Sequence, residues 1–67
     1  MESPTIGDLI EVSFKTSTLG LLVWAPVKVV DGGPGRLFSL QLQQEVPGLG
    51  RRGDHVILES LRDWRYA

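Results

Sequence analysis

Short stretches of alternating hydrophobic and polar residues run along this chain with the two-residue period of a β-strand. In the stretch "DLIEVSF", Asp8 to Phe14, Ile10, Val12 and Phe14 fall on one face, which predicts a strand with one buried face. The stretch "LFSLQLQQ" repeats this pattern, and its predicted inward side chains are Phe38, Leu40 and Leu42.

A longer β-branched run, "LLVWAPVKVVDGG", separates these two stretches and predicts a strand from Leu21 to Asp31. Pro26 lies in its middle. Because proline lacks a backbone N–H, we expect it at a bulge, a bend or an unpaired edge position. The polar segment Lys15 to Gly20 predicts a loop before this strand, and "DGGPGR" predicts a hairpin loop after it.

The last third of the chain begins with a glycine-rich loop, residues 44–54, and continues with the stretch "HVILESL". The alternation predicts a fourth strand with Val56 and Leu58 on one face and His55, Ile57 and Glu59 on the other. The tail "SLRDWRYA" is compatible with one helical turn capped by Ser60 or with a short fifth strand.

Four or five short strands separated by turn signals predict an all-β fold. For 67 residues we expect a single domain, residues 1–67 with a core at about 7–64. The economical architecture is a closed five-stranded SH3-like barrel, since closure removes exposed strand edges. A domain of this size buries only about 60% of its unfolded surface, so self-association is a natural source of further stability.

The composition of the chain limits the classes of function and site that it can have. The chain contains no cysteine and one histidine, which excludes disulfides and cysteine metal sites, and we expect no cofactor. Seven basic and eight acidic residues give a formal charge of −1, whereas domains that neutralise nucleic-acid phosphates are usually basic. The sequence shows neither a membrane-length apolar run nor an export signal, so we expect an intracellular protein, cytoplasmic or nuclear.

The order of these features resembles the Tudor and Agenet group of SH3-like barrels. The resemblance rests on the turn Gly7-Asp8 before the first strand, on "GLLVWAPVKVVD", on "LFSLQLQ" and on the closing "ESLRDW". It covers about residues 7 to 64. It implies a reader module, because many Tudor domains bind methylated lysine or arginine in a cage of aromatic side chains. Agenet members are associated with chromatin or RNA.

The candidate ligand-binding residues follow from this comparison and from the aromatic positions. We expect an aromatic pocket at Trp24 and Phe14 with Glu11 as an acidic rim that favours a cation. Phe38 also fits the core, as Phe14 does, and Trp24 fits either the core or the surface. Trp64 and Tyr66 lie among charged residues, and tryptophan and arginine are common at interface hot spots.

The stretch "GLGRRG", residues 48–53, has the spacing of a dinucleotide-binding loop, and it continues into "RGD". A nucleotide fingerprint requires a helix after the loop, but the predicted strand "HVILESL" follows. An adhesion role for "RGD" requires export. The interpretation that remains is a basic loop in which Arg51 and Arg52, with Arg36, contact an acidic peptide or phosphates. His55 next to Asp54 is more typical of a structural histidine than of a catalytic one.

The sequence therefore predicts a non-catalytic interaction module that binds a peptide or protein, with methylated lysine or arginine as one ligand class. The first alternative is a small self-assembling barrel, either structural or an oligomeric enzyme with a shared pore. For the enzyme, the similarity is to the small plasmid-type dihydrofolate reductases, in size and in the "GD" opening. The second alternative is nucleic-acid binding through Arg36, Arg51 and Arg52.

Overall fold

The alternating stretches form the strands of one antiparallel sheet. The computed structural model describes residues 3–15, 20, 22–33 and 35–67. The chain is all-β, as predicted, with strands β1 (Leu9–Lys15), β2 (Leu22–Gly33), β3 (Arg36–Leu42), β4 (His55–Leu58) and β5 (Trp64–Tyr66). The tail thus forms the fifth strand, the second of the two alternatives. The predicted loop Lys15 to Gly20 falls mainly on residues 16–19, which lie outside the described residues.

The strand order is β4-β3-β2-β1-β5, so the last strand returns to pair with the first. Glu11 of β1 lies opposite Pro26 on one side and Arg65 on the other. The closed barrel predicted from the sequence is not observed, since β4 and β5 are the two edges of the sheet. Residues 59–63, the β4–β5 connection, span the gap between these edges in place of a strand pair.

The core lies on the inner face of this sheet. All six inward residues predicted for the first and third strands are buried, which confirms the alternation. In β2 the buried residues are Ala25, Val27 and Val29, and Val46 from the loop after β3 joins the core. Val56, Leu58, Leu61 and Trp64 are half-buried and pack against it. The molecule measures 31 × 22 × 20 Å.

Pro26 lies in a central strand, and the expected bend is not at this residue. The register between β2 and β3 shifts between Val29 and Gly33 instead. The carbonyl of Pro26 accepts a hydrogen bond from the N–H of Gln43 at 3.0 Å. Because the N–H and C=O of a strand residue point to the same side, the missing donor faces this position, just beyond the last β2–β3 pair, Val27 with Leu42. The proline therefore leaves this position with one inter-strand hydrogen bond, because a residue with an N–H could also donate to the carbonyl of Gln43.

In the described part of the chain, no helix is long and apolar enough to cross a membrane.

Candidate interaction site

Three charged or aromatic side chains on the outer face of the sheet form one cluster. Trp24 on β2 is 39% exposed, and the guanidinium carbon of Arg65 lies 4.1 Å from the centroid of its ring. Nε of Arg65 also donates a hydrogen bond of 2.8 Å to Oε1 of Glu11. Trp24, Glu11 and Arg65 lie on neighbouring strands, so the arrangement is a cation–π contact anchored by an ion pair.

This cluster corrects the pocket predicted from the sequence. Phe14 is only 8% exposed and belongs to the core. It lies opposite Val23, whereas Trp24 lies opposite Ser13, and neighbouring residues of a strand point to opposite faces of a sheet. Trp24 and Phe14 therefore cannot face one ligand, and the ring and the carboxylate meant for an external cation already contact Arg65.

A cleft opens beside the β4–β5 connection, between the β2–β3 hairpin and the N-terminal segment. Its volume is about 330 Å³, at the lower end of the range for small-ligand sites. Phe38 and Trp64 contribute aromatic surface to its lining, and Arg36, Glu59 and Arg62 contribute charges. Three residues predicted as site residues on separate grounds, Phe38, Trp64 and Arg36, thus line the same cleft.

The charged groups and the ring of Trp64 are the parts of this cleft that a ligand can contact, whereas Phe38 is only 7% exposed and belongs to the core. Arg36 and Arg62 supply two guanidinium groups, against the carboxylate of Glu59. Nη2 of Arg36 lies 3.9 Å from Asp31, in a pair that is largely exposed and therefore weak. The ring of Trp64 is held from one side by the ring of Tyr66, which meets it edge-on at 5.0 Å. The cleft therefore combines a positioned aromatic ring with two guanidinium groups and one carboxylate in its lining.

A second, smaller cleft of about 260 Å³ lies on the other side of the β4–β5 connection. It is lined by residues 12–15 of β1, by Leu58 and by residues 60–63. Leu61 contributes to the walls of both clefts and packs against the core. The connection therefore separates two recesses and fills the space between them with one leucine side chain.

The glycine-rich loop is compact and ordered by its own hydrogen bonds, although the sequence suggested only an exposed basic loop. The N–H and C=O of Val46 bond to the C=O and N–H of Gly50 at 2.8 and 3.0 Å. Val46 is buried, and Leu49 packs against the core. Gly48 and Gly53 have φ angles of 83° and 93°, a region that favours glycine. The segment 43–54, the β3–β4 loop, therefore packs against the core through Val46 and Leu49.

The aspartate of "RGD" stabilises this loop. Oδ2 of Asp54 accepts the N–H of Arg51 at 2.8 Å, and the N–H of Asp54 donates to the carbonyl of Arg51 at 3.0 Å. Leu42 pairs with the backbone of Asp54 and Gly53. The carboxylate thus turns back on its own loop, and next to it His55 begins β4 on the exposed side.

The three arginines of the predicted basic surface do not lie together. Arg36 begins β3, and the loop that carries Arg51 and Arg52 begins where β3 ends. At about 3.3 Å per residue, the strand separates the two ends by roughly 20 Å. Arg36 belongs to the cleft instead, whereas Arg51 and Arg52 are exposed at the far end of the sheet.

Sequence reasoning missed the residues whose position depends on irregular segments. Val46 and Leu49 stand outside every alternating stretch, so no periodicity marked them as core residues. Among the described residues, no group of three His, Asp or Glu side chains is arranged to hold a metal ion. The sequence matches no family model, and neither a curated protein nor a solved structure matches it.

Proposed function

We propose that this chain is a non-catalytic interaction module that binds a short peptide segment of a partner protein in the cleft between the β2–β3 hairpin and the β4–β5 connection. We assign its architecture to the SH3-like, Tudor-like barrels in an opened form. In support, the four strands β1 to β4 follow one another in the sheet, and β5 returns to β1.

The observation that carries the proposal is the composition of the cleft wall. The cleft wall contains Trp64 together with Arg36 and Arg62, and tryptophan and arginine side chains are among those enriched at binding hot spots. The preferred ligand is a peptide in which an apolar residue is followed by an acidic one. The apolar side chain contacts the ring of Trp64, and the carboxylate accepts hydrogen bonds from a guanidinium group.

A methylated lysine or arginine is the less favoured ligand. Trp24 already has a guanidinium over its ring, and an external cation would have to displace Arg65 from both Trp24 and Glu11. The excess of guanidinium groups in the cleft also disfavours a cationic ligand there. We therefore infer recognition of an acidic peptide.

The two tryptophans give a direct test by NMR, because each contributes one indole N–H signal. The probes are a terminally blocked peptide of alternating leucine and glutamate, its lysine counterpart and a peptide with trimethyl-lysine. We expect the glutamate peptide to shift the Trp64 indole and the amide signals of residues 59–62, with little change at Trp24. The variant Trp24→Phe assigns the two indoles and should retain binding.

The opposite pattern would overturn the proposal. If the trimethyl-lysine peptide shifts the Trp24 indole and the glutamate peptide leaves Trp64 unchanged, the chain is a methyl-lysine reader. If none of the three peptides shifts a cleft residue at millimolar concentration, the cleft is not a site for this class of peptide.

A further inference from the structure

The free edge of β4 is short, with four residues, but it lacks the proline, the lysine and the bulge that often prevent sheet edges from pairing with one another. Its four residues, "HVIL", contain no proline and no lysine, and its ladder with β3 is regular from Gln41 to Phe38, without a bulge. In the described residues, β3 is the one strand that packs beside it. Ile57 on the outer face is 56% exposed. Such an edge is a template for another strand.

The opposite edge is protected. Strand β5 has three residues, and its central residue, Arg65, carries a charge that is paired with Glu11. Short edge strands and charged side chains are common ways of blocking edge-to-edge pairing. The difference between the two edges identifies β4 as the side on which the sheet can be extended.

We propose that two copies of this chain associate by antiparallel pairing of β4 with β4 of the partner subunit. The two-fold axis of such a pair is perpendicular to the sheet and keeps each side chain on its own face. Residues opposite each other in a ladder also share a face. One residue of β4 must therefore lie opposite its own copy, and the central candidates are Val56 and Ile57.

Chemical complementarity selects the register centred on Ile57. It places Ile57 opposite Ile57 of the partner subunit on the outer face, and Val56 opposite Leu58 of the partner subunit on the inner face. If the pairing continues one residue beyond Leu58, the end of β4, His55 also lies opposite Glu59 of the partner subunit, twice by symmetry. The imidazole can then donate a hydrogen bond to the carboxylate, and the half-buried inner residues extend the core across the edge.

The register centred on Val56 is poorer. It sets Asp54 opposite Leu58 of the partner subunit and leaves Glu59 opposite a glycine. A second copy is favoured over an unrelated peptide because this chain itself carries the imidazole, the carboxylate and the apolar pair in self-complementary order. Because a strand of four residues buries little area, we expect a weak dimer.

Single cysteines test the register, since the chain has no cysteine of its own. In the variant Ile57→Cys, two thiols meet across the axis, where opposite Cα atoms are about 4.5–5.5 Å apart, within the span of a disulfide. The control is Leu9→Cys on β1, because Leu9 and Ile57 are both 56% exposed. We expect Ile57→Cys to cross-link about tenfold faster or more, since pairing raises the effective concentration of its thiols.

Sedimentation velocity supplies the second readout. The wild-type chain should show a concentration-dependent dimer between micromolar and millimolar concentrations. Ile57→Lys should remain monomeric, because it brings two ammonium groups together, and Leu9→Lys should keep the dimer. Equal cross-linking of the two cysteine variants, or a monomer throughout, would overturn the proposal. So would a monomer whose β4 amide signals shift when an extended peptide is added, since the edge then serves a peptide.

Discussion

The β3–β4 loop and the β4–β5 connection both carry hydrophobic side chains to the core, but they hold them differently. The loop is fastened by hydrogen bonds between its own residues, such as the pair from Val46 to Gly50, and Val46 is only 2% exposed. The connection is joined to the sheet where the N–H of Ser13 donates to the carbonyl of Asp63 at 2.9 Å, and Leu61 is half-buried.

This difference indicates that one of the two segments contributes to stability and the other to binding. A segment whose buried side chain is surrounded by the core cannot change without a loss of packing. A segment that leaves open recesses on both sides can contact a ligand at little cost to the fold. Binding residues are commonly found on loops that a rigid scaffold positions. We therefore expect the β3–β4 loop to affect stability and the β4–β5 connection to affect recognition.

The sharpest test compares the two buried side chains. The variant Val46→Ala should lower the free energy of unfolding by about 2 kcal/mol, because it leaves a cavity in the core. Leu61→Ala removes more atoms but should cost only about 1 kcal/mol, since Leu61 already faces two clefts. Urea unfolding followed by circular dichroism measures both. A larger loss for Leu61→Ala would reverse the comparison.

A second prediction concerns the backbone of the loop. Gly53 has a φ angle of 93°, and an added Cβ would meet no atom within 4 Å. Gly53→Ala should therefore cost about 1–2 kcal/mol through backbone strain alone. Gly53→Asn should cost less, because asparagine tolerates positive φ better. In the connection, where every described residue has a negative φ, Ser60→Ala should change stability by less than about 0.5 kcal/mol.

The alternating segments could be predicted from the sequence because a strand with one buried face leaves its period in the chain. This is why the inner residues of β1 and β3 were identified correctly. The sequence did not decide whether Trp24 lies in the core or on the surface, because alternation alone does not say which face of β2 is buried. The contact of Arg65 with Trp24 depends on the register of three strands, and Arg65 lies 54 residues from Glu11 in sequence.

The open sheet and the structure of the β3–β4 loop could not be predicted from the sequence for a related reason. Whether β4 and β5 pair depends on how five connecting residues cross the core, and this is a property of packing. The loop "GLGRRG" has a spacing typical of phosphate binding, but Gly48 and Gly53 supply the positive φ angles of its two turns. The predicted Trp24–Phe14 pocket was wrong because residues from one face were combined with residues from the other.

A third prediction tests the aspartate of "RGD". The variant Asp54→Ala removes the acceptor for the N–H of Arg51 and should lower the free energy of unfolding by about 1 kcal/mol. Asp54→Asn keeps a side-chain oxygen in place and should lose less. The matched change in the connection is Asp63→Ala, which should stay within about 0.5 kcal/mol. If Asp54→Ala is as harmless as Asp63→Ala, the carboxylate does not stabilise the loop.

The smallest effect on stability should accompany the largest effect on binding. Arg62 is exposed on the β4–β5 connection and lines the cleft, so Arg62→Gln should change the free energy of unfolding by less than about 0.5 kcal/mol. It removes a charge-assisted hydrogen bond to the glutamate peptide, and we expect affinity to fall about tenfold or more.

The control for this variant is Arg51→Gln, because Arg51, on the β3–β4 loop, is exposed as Arg62 is. It removes the same charge from the chain, so any effect of net charge on association with an acidic peptide should appear in both variants. If the two variants weaken binding equally, the peptide is attracted by the overall field of the protein. If only Arg62→Gln does so, the guanidinium of Arg62 makes the contact, and the connection and the loop differ in function as they do in structure.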